Sequence, residues 1–182
     1  MRLRGTNERF ERLVMAHMDA AYNLAYWITR DPHEAEEAVQ EAMLRAYRFF
    51  DSFHGENGKA WLLGIVRNTC YTLYSRNRPS REQEAFDEEQ HTPNGPAWEF
   101  ALSDPEAAAI RHAERDLVNR AIEALPAEYR EVLVLRELEG MSYKEIARAL
   151  GIPMGTVMSR LARGRSLIQR ALVARFRQED RG

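Results

Sequence analysis

The sequence predicts an all-α protein: two small helical domains joined by an acidic, flexible linker, with a helix-turn-helix in the C-terminal one. Three observations carry that prediction. Apolar residues recur at i, i+3, i+4 and i+7 wherever the chain is regular, and no segment sustains an alternation of period two. A length of 182 residues, at ~100–200 residues per domain, allows one ordinary domain or two small ones. Residues 79–103 turn to Pro, Gly, Glu, Gln and Asp with few aliphatics, a linker composition too long for the inside of one compact domain. The predicted units are therefore 1–78, a linker over 79–103, and 104–182.

Taken in order, Phe10, Leu13, Val14, His17, Ala21, Leu24, Ala25 and Ile28 form one stripe of an amphipathic helix. Asp31-Pro32-x-Glu34 reads as an N-cap, a proline at the first helical position and an acid at the third. Val39, Met43, Ala46 and Phe50 then supply a buried stripe, with acids early and Arg45 and Arg48 late, as the helix macrodipole favours. Two glycines and turn-forming residues over 51–58 break the pattern. The next helix, about Lys59 to Arg76, buries Trp61, Leu62, Ile65, Thr69 and Leu73. Beyond the linker, Asp104-Pro105 opens a helix through Ile110, Leu117, Ile122 and Leu125, and Pro126 restarts it. Ala127 to Leu138 carries Tyr129, Val132, Leu133, Leu135 and Leu138 on a helical pattern, with Gly140 as its stop.

Charge is unevenly distributed. The formal net charge of −2 divides into +1 over residues 1–78, −7 over 79–116 and +4 over 117–182, and Lys144 to Arg177 holds eight basic residues against Glu145 alone. Such clustering suits a phosphate-binding surface. The lone Cys70 offers neither an internal disulfide nor a thiolate metal cluster, and reads as a small buried hydrophobe. His17, His33, His54, His91 and His112 lack metal-ligand spacing, and no Gly-rich phosphate loop is visible. No metal or cofactor is expected. No apolar run approaches ~18 residues, so the chain reads as soluble and cytoplasmic, with no direct membrane insertion.

The most informative segment is 142–165. Ser142 to Glu145 is a capping box, Ile146, Ala147 and Leu150 make a short apolar face, and Gly151-Ile152-Pro153 is a tight turn. Gly155-Thr156 begins a second helix whose Val157, Leu161, Ile168 and Leu172 face inward while Ser159, Arg160, Arg163 and Arg165 lie elsewhere. Helix, turn and a second helix rich in Arg, Ser and Thr make a helix-turn-helix that fits the DNA major groove. Arginine can give guanine two hydrogen bonds, and serine or threonine can reach base edges or phosphate.

Here the sequence resembles the extracytoplasmic-function (ECF) sigma factors of the sigma-70 family. Residues 141–165, MSYKEIARALGIPMGTVMSRLARGR, resemble region 4.2, and Leu125-Pro126 with the helix after it resembles region 4.1. Asp31 to Phe53, centred on EAEEAVQE at 34–41, resembles regions 2.1–2.2, and WLLGIVRN at 61–68 resembles regions 2.3–2.4. The chain departs from the family pattern at three positions: Glu37-Ala38, where Asp-Leu is common, and Met158, where relatives often carry a basic or polar residue.

That resemblance implies a non-enzymatic subunit that binds core RNA polymerase through its β′ and β subunits, recognises two elements of promoter DNA and helps open the duplex. Glu36, Glu37, Gln40 and Glu41 would dock on a β′ coiled coil, although solvation and the macrodipole alone also favour an acidic helix face. Phe53, His54, Asn57, Lys59 and Asn68 would meet the −10 element as unstacked single strand, with Arg67, Arg76 and Arg78 available to phosphates, although the place of Phe53 at the edge of a turn fits a cap on the core as well as a wall of the base pocket. Trp61, on the buried stripe, reads as core. Thr156, Ser159, Arg160 and Arg163 would read the −35 element, with Lys144 and Arg165 on phosphates. An anti-sigma partner is a common companion of such proteins. Two other classes fit parts of the chain: a helix-turn-helix regulator acting without polymerase, and a sigma mimic that sequesters a regulator. The 31–78 matches weigh against the first and the basic C-terminal stretch against the second.

Overall fold

The computed structural model describes residues 2–77 and 115–179; the predicted linker, the Asp104-Pro105 helix start, Arg78, His91 and His112 lie outside them. Within the described residues every regular element is helical. The N-terminal half contains α1 (Arg2–Leu13), α2 (Met18–Thr29), α3 (Pro32–Phe49) and α4 (Gly58–Asn77). The C-terminal half contains α5 (115–123), α6 (Ala127–Leu133), α7 (Tyr143–Leu150) and α8 (Met154–Glu179).

Local chemistry accounts for most of these boundaries. The Asp31 carboxylate accepts from the His33 and Glu34 amides at 2.8 and 2.9 Å, and Pro32 occupies the first turn of α3, where no amide donor is needed. Ser142 and Glu145 form the expected reciprocal capping box at the start of α7. Gly151 ends α7 in the left-handed region, at φ 65°.

Three expectations need correction. The stripe from Phe10 to Ile28 is not one helix: it breaks at Val14, passes through a 3₁₀ turn at Met15–His17 and resumes as α2. Crowding at this point is severe, since a Cβ at Gly58 would stand 1.7 Å from the Leu13 carbonyl oxygen; the α1 end and the α4 start meet backbone to backbone. The helix expected over 127–138 also changes pitch. After Leu133 it widens into a π-helical turn at Val134–Leu138, closed by Glu139 N–H on Val134 O at 3.1 Å, which leaves Leu138 exposed. Finally, α4 buries more than one face, with Leu63, Val66 and Cys70 enclosed besides Leu62 and Thr69, and Trp61, Ile65 and Leu73 only half-buried. It packs on α2, α3 and α7 at once.

The contact with α7 defines the architecture. Val14, Leu24, Phe50, Leu62 and Val66 from the N-terminal half and Val132, Leu135, Ile146, Val157 and Leu161 from the C-terminal half belong to one continuous hydrophobic core. The two halves are docked.

Candidate nucleic-acid interface

In the helix-turn-helix, α7 and α8 meet through Ile146, Leu150, Val157 and Leu161, all buried. Gly164 lets α6 approach: a Cβ there would lie 2.6 Å from Leu133 Cδ1. The opposite side of α8 carries Gly155, Met158, Ser159, Ala162 and Arg163, all exposed. Ser159 donates its hydroxyl proton to Thr156 O at 3.1 Å, which leaves its lone pairs for an external donor. Thr156 is half-buried and Lys144 exposed. The arginines divide. Arg163 forms no ion pair with any described residue, whereas Arg160 lies 3.7 Å from Glu128 and Arg165 donates to Glu137 at 2.6 Å. Both pairs have exposed carboxylates, so a phosphate can compete for either guanidinium.

On α3, Glu37, Gln40, Glu41, Leu44 and Arg48 follow the i, i+3, i+4, i+7, i+11 spacing of one face, and Glu36 borders it. Glu41 accepts from Arg45 at 2.9 Å and the other acids stay exposed. Leu44 sits within this acidic face 65% exposed, with the exposed Tyr47 beside it. Sequence reasoning missed both. The available signal was an apolar residue one step off the buried stripe of Val39, Met43 and Ala46.

The five residues assigned to the −10 element do not form one cluster. Phe53 stacks on Trp61, centroids 4.5 Å apart and planes at 21°, and both pack against the core. Arg9 holds this loop by donating to Phe53 O at 3.0 Å and Gly55 O at 3.3 Å, with its guanidinium 5.1 Å from the Phe50 ring centre. His54 is exposed against Ser52 O. Asn57 caps α4 by accepting from Ala60 N–H at 2.9 Å, and its amide donates to Glu145 of α7. Lys59 reaches Glu139, at 3.1 Å to the carboxylate and 2.7 Å to the carbonyl. Asn68 is exposed about 15 Å further along α4, at ~1.5 Å per residue. The C-terminal half thus engages two of the five.

Further polar contacts extend this junction. Asn23 donates to Glu139 Oε1 at 2.6 Å. Arg130, 5% exposed, donates to Trp27 O at 3.0 Å and Leu125 O at 2.9 Å, and its Nε is buried without a hydrogen-bond partner. Burial pushes its guanidinium below the usual arginine range. Glu131, 3% exposed, receives Arg67 Nε at 2.9 Å and the Tyr71 hydroxyl. Burial, with the Glu131 charge beside it, raises the Tyr71 phenol. Burial and the Lys59 charge lower His17 from 6.5, with Glu139 acting the other way. Backbone and side-chain hydrogen bonds from Ser142, with help from Asn57 and Lys59, lower the Glu145 carboxyl.

Comparison with known proteins assigns the architecture to a class. Residues 13–79 match the model of Sigma-70 region 2, and 115–172 match Sigma-70, region 4. The RNA polymerase sigma-H factor of Pseudomonas aeruginosa is 33% identical over 177 residues, 96% of this chain and 92% of the relative. The ECF RNA polymerase sigma-E factor of Escherichia coli is 34% identical over 171 residues, 91% and 87% of the two chains. Among solved structures, the sigma factor RpoE from Bartonella quintana, in complex with the anti-sigma factor NepR, is similar at a TM-score of 0.69 and 26% identity, covering 90% of this chain and 96% of that one. CnrH in complex with the cytosolic domain of CnrY gives a TM-score of 0.59 at 25% identity, covering 91% and 88%. The chain belongs to the sigma-70 family, within its ECF group. It is an alternative, non-enzymatic sigma factor that serves promoter recognition and transcription initiation with RNA polymerase. No helix among the described residues is long and apolar enough to cross a membrane.

Proposed function

We propose that this sigma factor divides its work among three surfaces and must undock to use them together. The domains are 1–78, a linker over 79–103, and 104–182. The α3 face of Glu36, Glu37, Gln40 and Glu41 binds the β′ coiled coil of core polymerase, and Leu44 supplies its apolar centre. Thr156, Ser159 and Arg163 read the −35 element, with Arg160 released from Glu128 to join them and Lys144 and Arg165 on phosphates. Phe53, His54, Asn57, Lys59 and Asn68 serve the −10 element. The observation that carries undocking is the engagement of Asn57 and Lys59 by Glu145 and Glu139 of the C-terminal half. A −10 strand and that half compete for the same two side chains. The docked form is the resting state, held in the cytoplasm until polymerase separates the halves. An anti-sigma factor, the kind of partner carried by the similar sigma factor RpoE structure from Bartonella quintana, would hold this chain off polymerase.

Run-off transcription over fragmented genomic DNA, with purified core RNA polymerase and with or without this protein, tests the proposal. Discrete new transcripts that share a bipartite upstream element are expected, and their loss in a Glu37→Lys, Glu41→Lys variant that still folds. Transcription that survives this double charge reversal would remove the α3 assignment.

A further inference from the structure

The outward side of α8 is unusual in carrying apolar groups where a groove-reading helix has the opportunity for polar ones. Met158 is 52% exposed and Ala162, one turn on, is also exposed; neither belongs to the core. The arginines on either flank, Arg160 and Arg165, reach for Glu128 and Glu137, and Gly155 has open space around it. Along the first three turns of α8 the outward surface is therefore an apolar row of Met154, Met158 and Ala162 beside a serine oxygen and the guanidinium of Arg163.

A side chain pressed into the major groove without matching the base edges there leaves donors and acceptors unpaired. The apolar group that B-DNA displays in that groove is the thymine C5 methyl. Met158 and Ala162 stand about 6 Å apart along the helix at ~1.5 Å per residue, close to two base steps of about 3.4 Å. The unbranched thioether of methionine adapts to a methyl without strict alignment. We infer that Met158 and Ala162 are specificity residues that select thymine at one or two adjacent positions of the upstream promoter element, next to a guanine read by Arg163. This inference rests on the reading of α8 as the −35 recognition helix.

The test uses holoenzyme reconstituted from core polymerase and the full chain. A promoter library randomised over the upstream element is transcribed, and the selected element is then resynthesised with each thymine replaced by uracil, which removes only the C5 methyl. The wild-type protein selects adjacent thymine, and uracil lowers its transcription about fourfold, the worth of one buried methyl group. Met158→Gln, a surface change of similar length and helix propensity, narrows that fourfold difference between the thymine and uracil templates. Absence of a thymine preference, or equal sensitivity to uracil in wild type and variant, overturns the inference while leaving the sigma reading intact. Failure of the wild-type holoenzyme to select any upstream element overturns the −35 reading, and this inference with it.

Discussion

Arg163 shows how one residue separates reading from holding. It has no ion pair to surrender among the described residues, so on the proposed reading its replacement by alanine should cost ~1–3 kcal/mol of promoter binding and relax the preference at one position of the upstream element. Lys144→Ala should instead weaken binding evenly across sequences and reduce the salt slope by about one phosphate's worth. Filter binding of holoenzyme at several salt concentrations distinguishes the two, and equal effects would contradict the division. His17 makes a separate prediction. Its ionisation is depressed in the folded protein, so the neutral form is favoured; stability is complete above 6.5 and declines as pH falls below it, because the unfolded chain binds the proton first. Thermal unfolding between pH 8 and 5 should show that decline in the wild type and a smaller one in His17→Gln. Equal decline in both would assign it to other groups. Cys70 is not involved: burial pushes its thiol up to about 12, which keeps it protonated and unreactive.

At the level of single elements, α3 presents a buried alanine-rich side to its own domain and an acidic side to water, and Leu44 interrupts the second. An exposed leucine ringed by charges suits a protein interface, where an apolar centre desolvates and the rim sets orientation. Leu44→Asp should leave thermal stability within ~0.5 kcal/mol of wild type and weaken core-polymerase binding at least tenfold, read by competition with another sigma factor. Unchanged affinity would remove Leu44 from the interface. Element boundaries were legible in the sequence where local chemistry sets them. Asp31-Pro32, the Ser142–Glu145 box and Gly151 each act through atoms a few residues away, so spacing alone locates them. The break at Met15–His17 and the π-turn at Val134–Leu138 were not legible. One comes from α4 pressing on the end of α1, and the other from a change in pitch that leaves the apolar pattern intact.

Across the whole molecule, the docking of the two halves had no local signature. The apolar pattern over 127–138 says nothing of Arg130 and Glu131, yet their main-chain and side-chain partners lie up to 103 residues away and both are nearly sealed from water. Of the candidate site, α8 and the acidic part of α3 could be placed from periodicity. The engagement of Asn57 and Lys59 could not, because the groups that engage them come from the other domain. Glu131 is a buried charge at the junction, held by Arg67 and Tyr71. Arg67→Met would leave its carboxylate buried with only the Tyr71 hydroxyl, a loss of about 3 kcal/mol that favours the undocked form roughly a hundredfold. Small-angle scattering should register a larger radius of gyration for this variant; an unchanged radius would mean that Arg67 does not support docking.

The claim that the halves must part is tested most directly by preventing them from doing so. A Cβ at Gly64 of α4 would lie 3.1 Å from the Ala149 carbonyl oxygen and 3.6 Å from its Cα in α7, so cysteines placed at these two positions face each other across the junction, with the Ala149 backbone giving by a few tenths of an ångström. Promoter-specific transcription is then measured with the double variant oxidised and after reduction. The oxidised protein should fail to open the promoter and reduction should restore it, while a promoter opened equally well by the locked form would mean that the halves need not part.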